Sequence, residues 1–211
     1  MNSGFVYYGD LITLYTTEHK GYLNADGVID NSLRVLENKE STPQKYRDCI
    51  FQLMPSQQYG AKKEFIEKVT ALESNPDREM EDPSYYDSLY ESMTKETEMN
   101  ETRNIAMTTT DSVVRYGHTI QLLHVKTNKY VTADPKKIAT AEKDCQYCGV
   151  ETDGSMTSWF TILPRYKMRG VGDEVEAGDE VVFQLIKQEG SFLHCSDRAA
   201  LHLRPFETQD S

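Results

Sequence analysis

Apolar and polar positions alternate in short runs at three places along the chain, and the three runs are built alike. The first reads Gly9-Asp10-Leu11-Ile12-Thr13-Leu14, then Lys20-Gly21-Tyr22-Leu23-Asn24-Ala25-Asp26. The second reads Gly117-His118-Thr119-Ile120-Gln121-Leu122, then Asn128-Lys129-Tyr130-Val131-Thr132-Ala133-Asp134. The third reads Gly178-Asp179-Glu180-Val181-Val182-Phe183, then Gly190-Ser191-Phe192-Leu193-His194-Cys195-Ser196-Asp197. From glycine to aromatic the spacing is 13, 13 and 14 residues, room for two short strands and a tight turn. Alternation bounded by Gly, Asn and Asp predicts a hairpin at each site. Threefold self-similarity predicts a closed all-β architecture with pseudo-threefold symmetry, of which a β-trefoil is the simplest form.

Each unit of such a fold ends on a closing strand. Phe51-Gln52-Leu53-Met54-Pro55 follows Tyr22 by 29 residues, and Phe160-Thr161-Ile162-Leu163-Pro164 follows Tyr130 by 30. Both run aromatic, polar, apolar, apolar, proline, with the proline stopping the strand where no ladder donor is needed. The same spacing puts a third copy at about residue 221, past Ser211, so either the third unit closes differently or, as the spacing favours, its last closing strand is missing from this sequence.

The first two hairpins begin 108 residues apart and the last two only 61, an excess of 47 residues. In that excess the period becomes helical. Phe65, Ile66, Val69 and Leu72 share one stripe, and Tyr86, Leu89, Tyr90 and Met93 share another. Asp82-Pro83 reads as a helix N-cap followed by proline at the first helical position, with Glu73–Asp77 as the intervening loop. The predicted organisation is a β-trefoil over 1–56 and 104–211, with a helix-turn-helix arm inserted over 57–103. From Glu73 to Glu101 there are ten acidic residues and two basic ones, so much of the arm's surface is solvated and negative.

A net charge of −11 excludes a nucleic-acid partner, whose phosphates need a basic face. Four cysteines without a signal-type apolar segment after Met1 point to a reducing compartment. No run reaches the roughly 18 apolar residues that span a bilayer, so no membrane insertion by this segment is expected.

Several stretches carry a family likeness: Tyr46-Arg47-Asp48-Cys49, Gln58-Tyr59-Gly60-Ala61-Lys62-Lys63-Glu64-Phe65, Asn100-Glu101-Thr102-Arg103-Asn104, Gln121 through Tyr130, and Ser158-Trp159-Phe160. Together with the trefoil rhythm and the arm, they resemble the extreme N-terminal domain of inositol trisphosphate receptors, intracellular calcium-release channels. Ryanodine receptors share the architecture, but the second hairpin and the Ser158-Trp159-Phe160 strand favour the inositol trisphosphate branch. The resemblance implies a regulatory domain that lowers the affinity of the following ligand-binding core and couples binding to pore opening in a homotetramer at the endoplasmic reticulum. It also implies that this domain does not bind the ligand, in keeping with the absence of a Gly-rich phosphate loop or a dense Arg/Lys pocket.

Three patches carry over. Tyr166, with Lys167 beside it, occupies the position of an exposed loop aromatic needed for gating; the plainer alternative is a tyrosine half-buried at a strand end. Lys45 and Arg47 match a basic loop that touches the neighbouring subunit; the alternative is a solvated turn with ordinary ion pairs. Gly27-Val28-Ile29-Asp30 matches an apolar loop that docks on the ligand-binding core, the alternative being that Val28 and Ile29 are ordinary core. Here Asp26 precedes the glycine where the family commonly carries leucine. Calmodulin-like regulators contact this domain in some members, but they dock on basic amphipathic surface, and this arm is acidic.

Other features point to no chemistry. Cys145-Gln146-Tyr147-Cys148 has metal-ligand spacing, which His194-Cys195 could complete, but a single such pair without helical context is a weak signal for zinc or redox work. Ser92-Met93-Thr94-Lys95 imitates a nucleophile motif but lacks its companions. His19, His118, His124, His194 and His202 fall in hairpins, where packed or surface roles are expected. Asn100-Glu101-Thr102 is a glycosylation sequon only in a secreted chain. The expectation is a protein that is not an enzyme and needs no cofactor. The rival readings are a lectin-like, glycan-binding trefoil, which calls for several exposed tryptophans where this chain has only Trp159, and a freestanding interaction or interfering fragment.

Overall fold

The computed structural model describes residues 4–37, 43, 45–74, 83–139, 143–195 and the backbone of 201–205. It is mostly β-sheet with two helices. The strands are β1 (Leu11–Ile12), β2 (Tyr15–Thr16), β3 (Gly21–Ala25), β4 (Leu33–Glu37) and β5 (Phe51–Pro55), then β6 (Thr119–His124), β7 (Lys129–Ile138), β8 (Gln146–Glu151) and β9 (Phe160–Pro164), then β10 (Val181–Leu185), β11 (Ser191–Cys195) and β12 (Leu201–Pro205). Helices α1 (Gly60–Ser74) and α2 (Pro83–Thr109) lie between β5 and β6. Nine strands join in the order β1-β5-β6-β7-β8-β12-β11-β10-β9, with β9 also pairing with β6, and β2-β3-β4 form a smaller sheet. Contacts divide the chain into one unit of Met1–Ser56 with Met107–Ser211 and a second of Gln57–Ala106.

Alternation decides what the first unit buries. Along β5, Phe51 and Leu53 are buried, and along β9 so are Phe160 and Ile162. Their antiparallel partners bring Leu122 opposite Leu53 and Phe183 opposite Ile162. These side chains join Leu23, Ala25, Leu33, Val114, Tyr116, Ile120, Val131, Val150, Val175 and Leu185 in one core. Phe51 is fully buried, so truncating it to alanine costs about 3–5 kcal/mol.

Ahead of each repeated glycine, three backbone segments meet in a ring. The Val6 amide donates to the Val175 carbonyl at 2.8 Å, Val175 donates to Val114 at 2.9 Å, and Val114 donates back to Val6 at 2.8 Å. Two residues on, the pattern repeats: Tyr8 donates to Ser112 at 3.0 Å, Tyr116 to Asp173 at 2.9 Å and Ala177 to Gly4 at 2.7 Å. The turn that leaves the ring is the same each time. Gly9, Gly117 and Gly178 have φ of 92°, 88° and 96°, a region where a Cβ is strained. The residue after each glycine accepts a backbone N–H from three positions back: Tyr7 to Asp10 Oδ2 at 2.8 Å, Arg115 to His118 Nδ1 at 3.4 Å, and Glu176 to Asp179 Oδ2 at 2.9 Å.

In the second unit, α1 and α2 meet through Phe65 and Tyr90, whose rings lie 5.8 Å apart edge to face, and through Lys68 over the Tyr85 ring at 5.3 Å. The start of α1 is capped from the other helix: Glu96 accepts the Ala61 and Lys62 amides at 2.9 and 3.0 Å, a carboxylate placed where the helix dipole favours it. The predicted apolar stripe of α1 contributes no fully buried residue, and Tyr90 is exposed, which suits a charged two-helix element. One correction concerns a boundary. Glu73 and Ser74, expected in the loop, continue α1, where the Ser74 hydroxyl donates to the Thr70 carbonyl; residues 75–77 and the Asp82 N-cap lie outside the described residues. Helix α2 runs on to Thr109, and Met107 near its end, itself part of the first unit, packs against that unit's core. Among the described residues, no helix is long and apolar enough to cross a membrane.

Candidate interaction surface

Residues 26–32 form a tight loop whose polar groups pair within the loop and with neighbouring segments. The Gly27 amide donates to the Asp30 carbonyl at 2.9 Å, and the Val28 amide to Asp26 Oδ1 at 3.3 Å. Asp30 accepts from the Ser32 amide at 2.8 Å and the Ser32 hydroxyl at 2.6 Å, and pairs with Arg34. Those bonds hold both carboxylates below their ordinary range, Asp26 chiefly through the Val28 amide and Asp30 chiefly through the Ser32 hydroxyl. What is left at the tip is apolar: Val28 is 71% and Ile29 91% exposed. The alternative in which these two belong to the core is therefore overturned, because the loop turns its polar side inward and spends it there.

The β6–β7 turn clamps this loop from a hundred residues away. Lys129 Nζ donates to the Gly27 carbonyl at 2.5 Å and to Asn31 Oδ1 at 2.8 Å. Gly27 has φ of 68°, and a Cβ there would meet the Thr127 hydroxyl at 2.7 Å, so only glycine lets the two turns come this close. Thr127 is itself fixed by His124, whose Nδ1 lies 2.8 Å from the hydroxyl. The His124 ring is fully buried, 5.3 Å from that of Phe51, and burial holds its pKa below the ordinary value.

The same turn reaches the second patch. Lys126 Nζ pairs with Asp48 at 2.8 Å and with Asp26 at 3.9 Å, and the Asp48 bond raises its pKa. Asp48 lies in a 3₁₀ turn, Tyr46–Cys49, anchored by the fully buried Cys49. Lys45 and Arg47 point to solvent on either side of Tyr46. The structure thus brings Val28, Ile29, Lys45 and Arg47 onto elements held by one turn, although they come from separate stretches of sequence.

Tyr166 and Lys167 sit elsewhere, on the loop that follows β9. Tyr166, two residues past the end of β9, is 55% exposed, its hydroxyl 3.4 Å from Glu180 Oε2 and its ring 5.8 Å from the Arg165 guanidinium. The loop is tied to the ring of backbone bonds: Gly172 donates to the Tyr116 carbonyl at 2.8 Å, and Arg169 pairs with Glu176 at 2.8 Å. Met168, 91% exposed, and Val171, 77% exposed, extend the apolar surface beside Tyr166. Sequence reasoning missed both, and it missed the clamping roles of Lys126, Thr127 and Lys129, since a lysine that will grip a carbonyl reads like any surface lysine.

The chemical motifs are occupied in structural ways. The Ser92 hydroxyl donates to the Ser88 carbonyl at 2.9 Å and Lys95 pairs with Glu91 at 2.9 Å, each one helical turn back. Cys145 and Cys148 are buried, and burial drives the Cys148 thiol pKa far up, which keeps it protonated. Among the described residues, no group of three or more His, Cys, Asp or Glu is arranged to hold a metal.

The inositol 1,4,5-trisphosphate/ryanodine receptor family matches residues 1–207. The inositol 1,4,5-trisphosphate receptor itr-1 of Caenorhabditis elegans is 33% identical over 219 residues, covering 99% of this chain. The chain spans 7% of the length of that relative. A match over nearly every residue, at an identity well above chance, establishes that the chain belongs to the inositol 1,4,5-trisphosphate/ryanodine receptor family and corresponds to the N-terminal domain of an inositol trisphosphate receptor.

Proposed function

We propose that this chain is the regulatory domain of a ligand-gated calcium-release channel of the inositol trisphosphate receptor type, on the cytosolic face of the endoplasmic reticulum. In this reading it lowers the affinity of the receptor's ligand-binding core and relays ligand binding to the pore, without binding the ligand itself. Its β portion is a β-trefoil, a proposal supported by the threefold recurrence of the glycine turn and of the backbone ring. Val28 and Ile29 dock on the ligand-binding core, Lys45 and Arg47 meet the neighbouring subunit of a homotetramer, and Tyr166 with Lys167 transmits the gating signal.

The observation that carries this reading is the exposed Val28–Ile29 tip on a loop immobilised at both ends. Two branched apolar side chains cost free energy in water, and a pre-ordered loop loses little entropy on docking, so such a tip favours a protein contact. Clamping of Lys126 to Asp48 gives a physical path between the core-facing loop and the subunit-facing turn. The test is Tyr166→Ala in the complete channel. Calcium release falls while ligand affinity stays near normal if Tyr166 is a coupling residue; unchanged release removes it from the account.

A further inference from the structure

We propose that His118 is a proton-sensitive joint between the first and second repeats, closed while its imidazole is neutral and loosened once it is charged. The three repeats build the same turn with different residues after the glycine: Asp10, His118 and Asp179. Two of the three also receive a phenol from the preceding repeat. Tyr116 donates to Asp179 Oδ2 at 2.9 Å, and Tyr8 pairs with His118 Nδ1 at 3.1 Å, its ring stacked on the imidazole at 6.2 Å and 18°. Each link staples one repeat to the next across the ring of backbone bonds.

The two links answer protons differently. At Asp179 the Tyr116 phenol meets a carboxylate oxygen, a group that carries no ring N–H. At His118, Nδ1 faces the Arg115 amide at 3.4 Å, a donor that cannot reverse, and the Tyr8 hydroxyl, which can donate or accept, so the amide sets Nδ1 as the unprotonated nitrogen. Protonation turns that acceptor into a donor. The Tyr8 hydroxyl can rotate; the Arg115 amide cannot. The charged groups around the ring resist the change further. Arg115, on the same turn, is paired with Glu174 of the third repeat at 2.6 Å, and it adds positive charge beside the imidazole. Burial first and Arg115 second hold the His118 pKa below its ordinary value. The unfolded chain therefore takes up the proton at a higher pH than the folded one. The joint is at full strength above the unfolded value and weakens as pH falls from there towards the folded value.

The inference is independent of the proposed channel role and is tested on this chain alone. In an NMR titration from pH 8 to pH 5, the His118 imidazole and the Tyr8 ring shift together, with one midpoint below about 6.5. The melting temperature falls over the same interval, and His118→Asp, which installs the residue used by the other two repeats, flattens that fall by about 2–4 °C. His118→Asn, uncharged, flattens it as well and serves where the aspartate variant does not fold. Tyr8 resonances that stay still while His118 titrates, or a melting curve whose pH slope is the same in the native chain and both variants, would overturn the proposal.

Discussion

The phenol of Tyr116 donates a hydrogen bond to Asp179 Oδ2 at 2.9 Å, from the start of the second repeat to the first turn of the third. Tyr116 is 1% exposed, and Asp179, partly exposed, also accepts the Glu176 amide and lies 3.9 Å from Arg169, so the pair ties the junction together. Removing the hydroxyl takes one of two donors from Asp179 Oδ2, which keeps the Glu176 amide. Tyr116→Phe is expected to cost about 1–3 kcal/mol, seen as a lower denaturation midpoint with an unchanged slope.

The same junction predicts alkaline behaviour. Burial first, then the bond to Asp179, pushes the Tyr116 pKa up to about 12. The folded state thus keeps a proton that the unfolded chain gives up near its ordinary value of roughly 10. Tyr116 stabilises fully below that ordinary value, and its contribution is lost as pH rises from there towards the folded value. Melting curves between pH 9 and pH 12 should fall more steeply for the native chain than for Tyr116→Phe; parallel curves would refute the assignment.

Gly27→Ala probes the clamp on the apolar loop. The new Cβ would lie 2.7 Å from the Thr127 hydroxyl at a φ of 68°. Strain and overpacking together predict a loss of about 1–3 kcal/mol, with faster amide exchange in residues 26–32 than in β5. A stable variant with unaltered exchange would mean that the two turns part easily.

Tyr166→Ala should leave the isolated chain almost as stable as before, within about 0.5 kcal/mol, because the residue is 55% exposed and its hydroxyl contact is a long one. Thermal unfolding checks this. A loss of about 3–5 kcal/mol is the signature of a core tyrosine and would remove the basis for a gating role.

What the sequence made legible was whatever leaves a local trace. Alternation and turn residues located the hairpins, the Phe51 and Phe160 strands announced themselves by their shared pattern, and the change of period located both helices. The backbone ring left no trace, since the bonds among Val6, Val114 and Val175 use amides and carbonyls that every residue carries. Its side-chain staples were equally hidden, because tyrosine precedes the glycine in two repeats and Ala177 in the third. The end of α2 leaves no clear local trace, since Thr108 and Thr109 are weak helix formers that follow the packed Met107. At the candidate surface, the exposed tip could be named but not its support. Lys129 grips a carbonyl 102 positions away, a separation that no local pattern encodes.

The most direct measurement compares the affinity of inositol trisphosphate for the receptor's ligand-binding core alone, joined to this chain, and joined to this chain carrying Val28→Ser and Ile29→Ser. Joining should weaken binding by at least about fivefold, within the usual range of a coupling free energy, and the double variant should restore most of the loss. Equal affinity in all three, or binding of inositol trisphosphate by the isolated chain, would contradict the account.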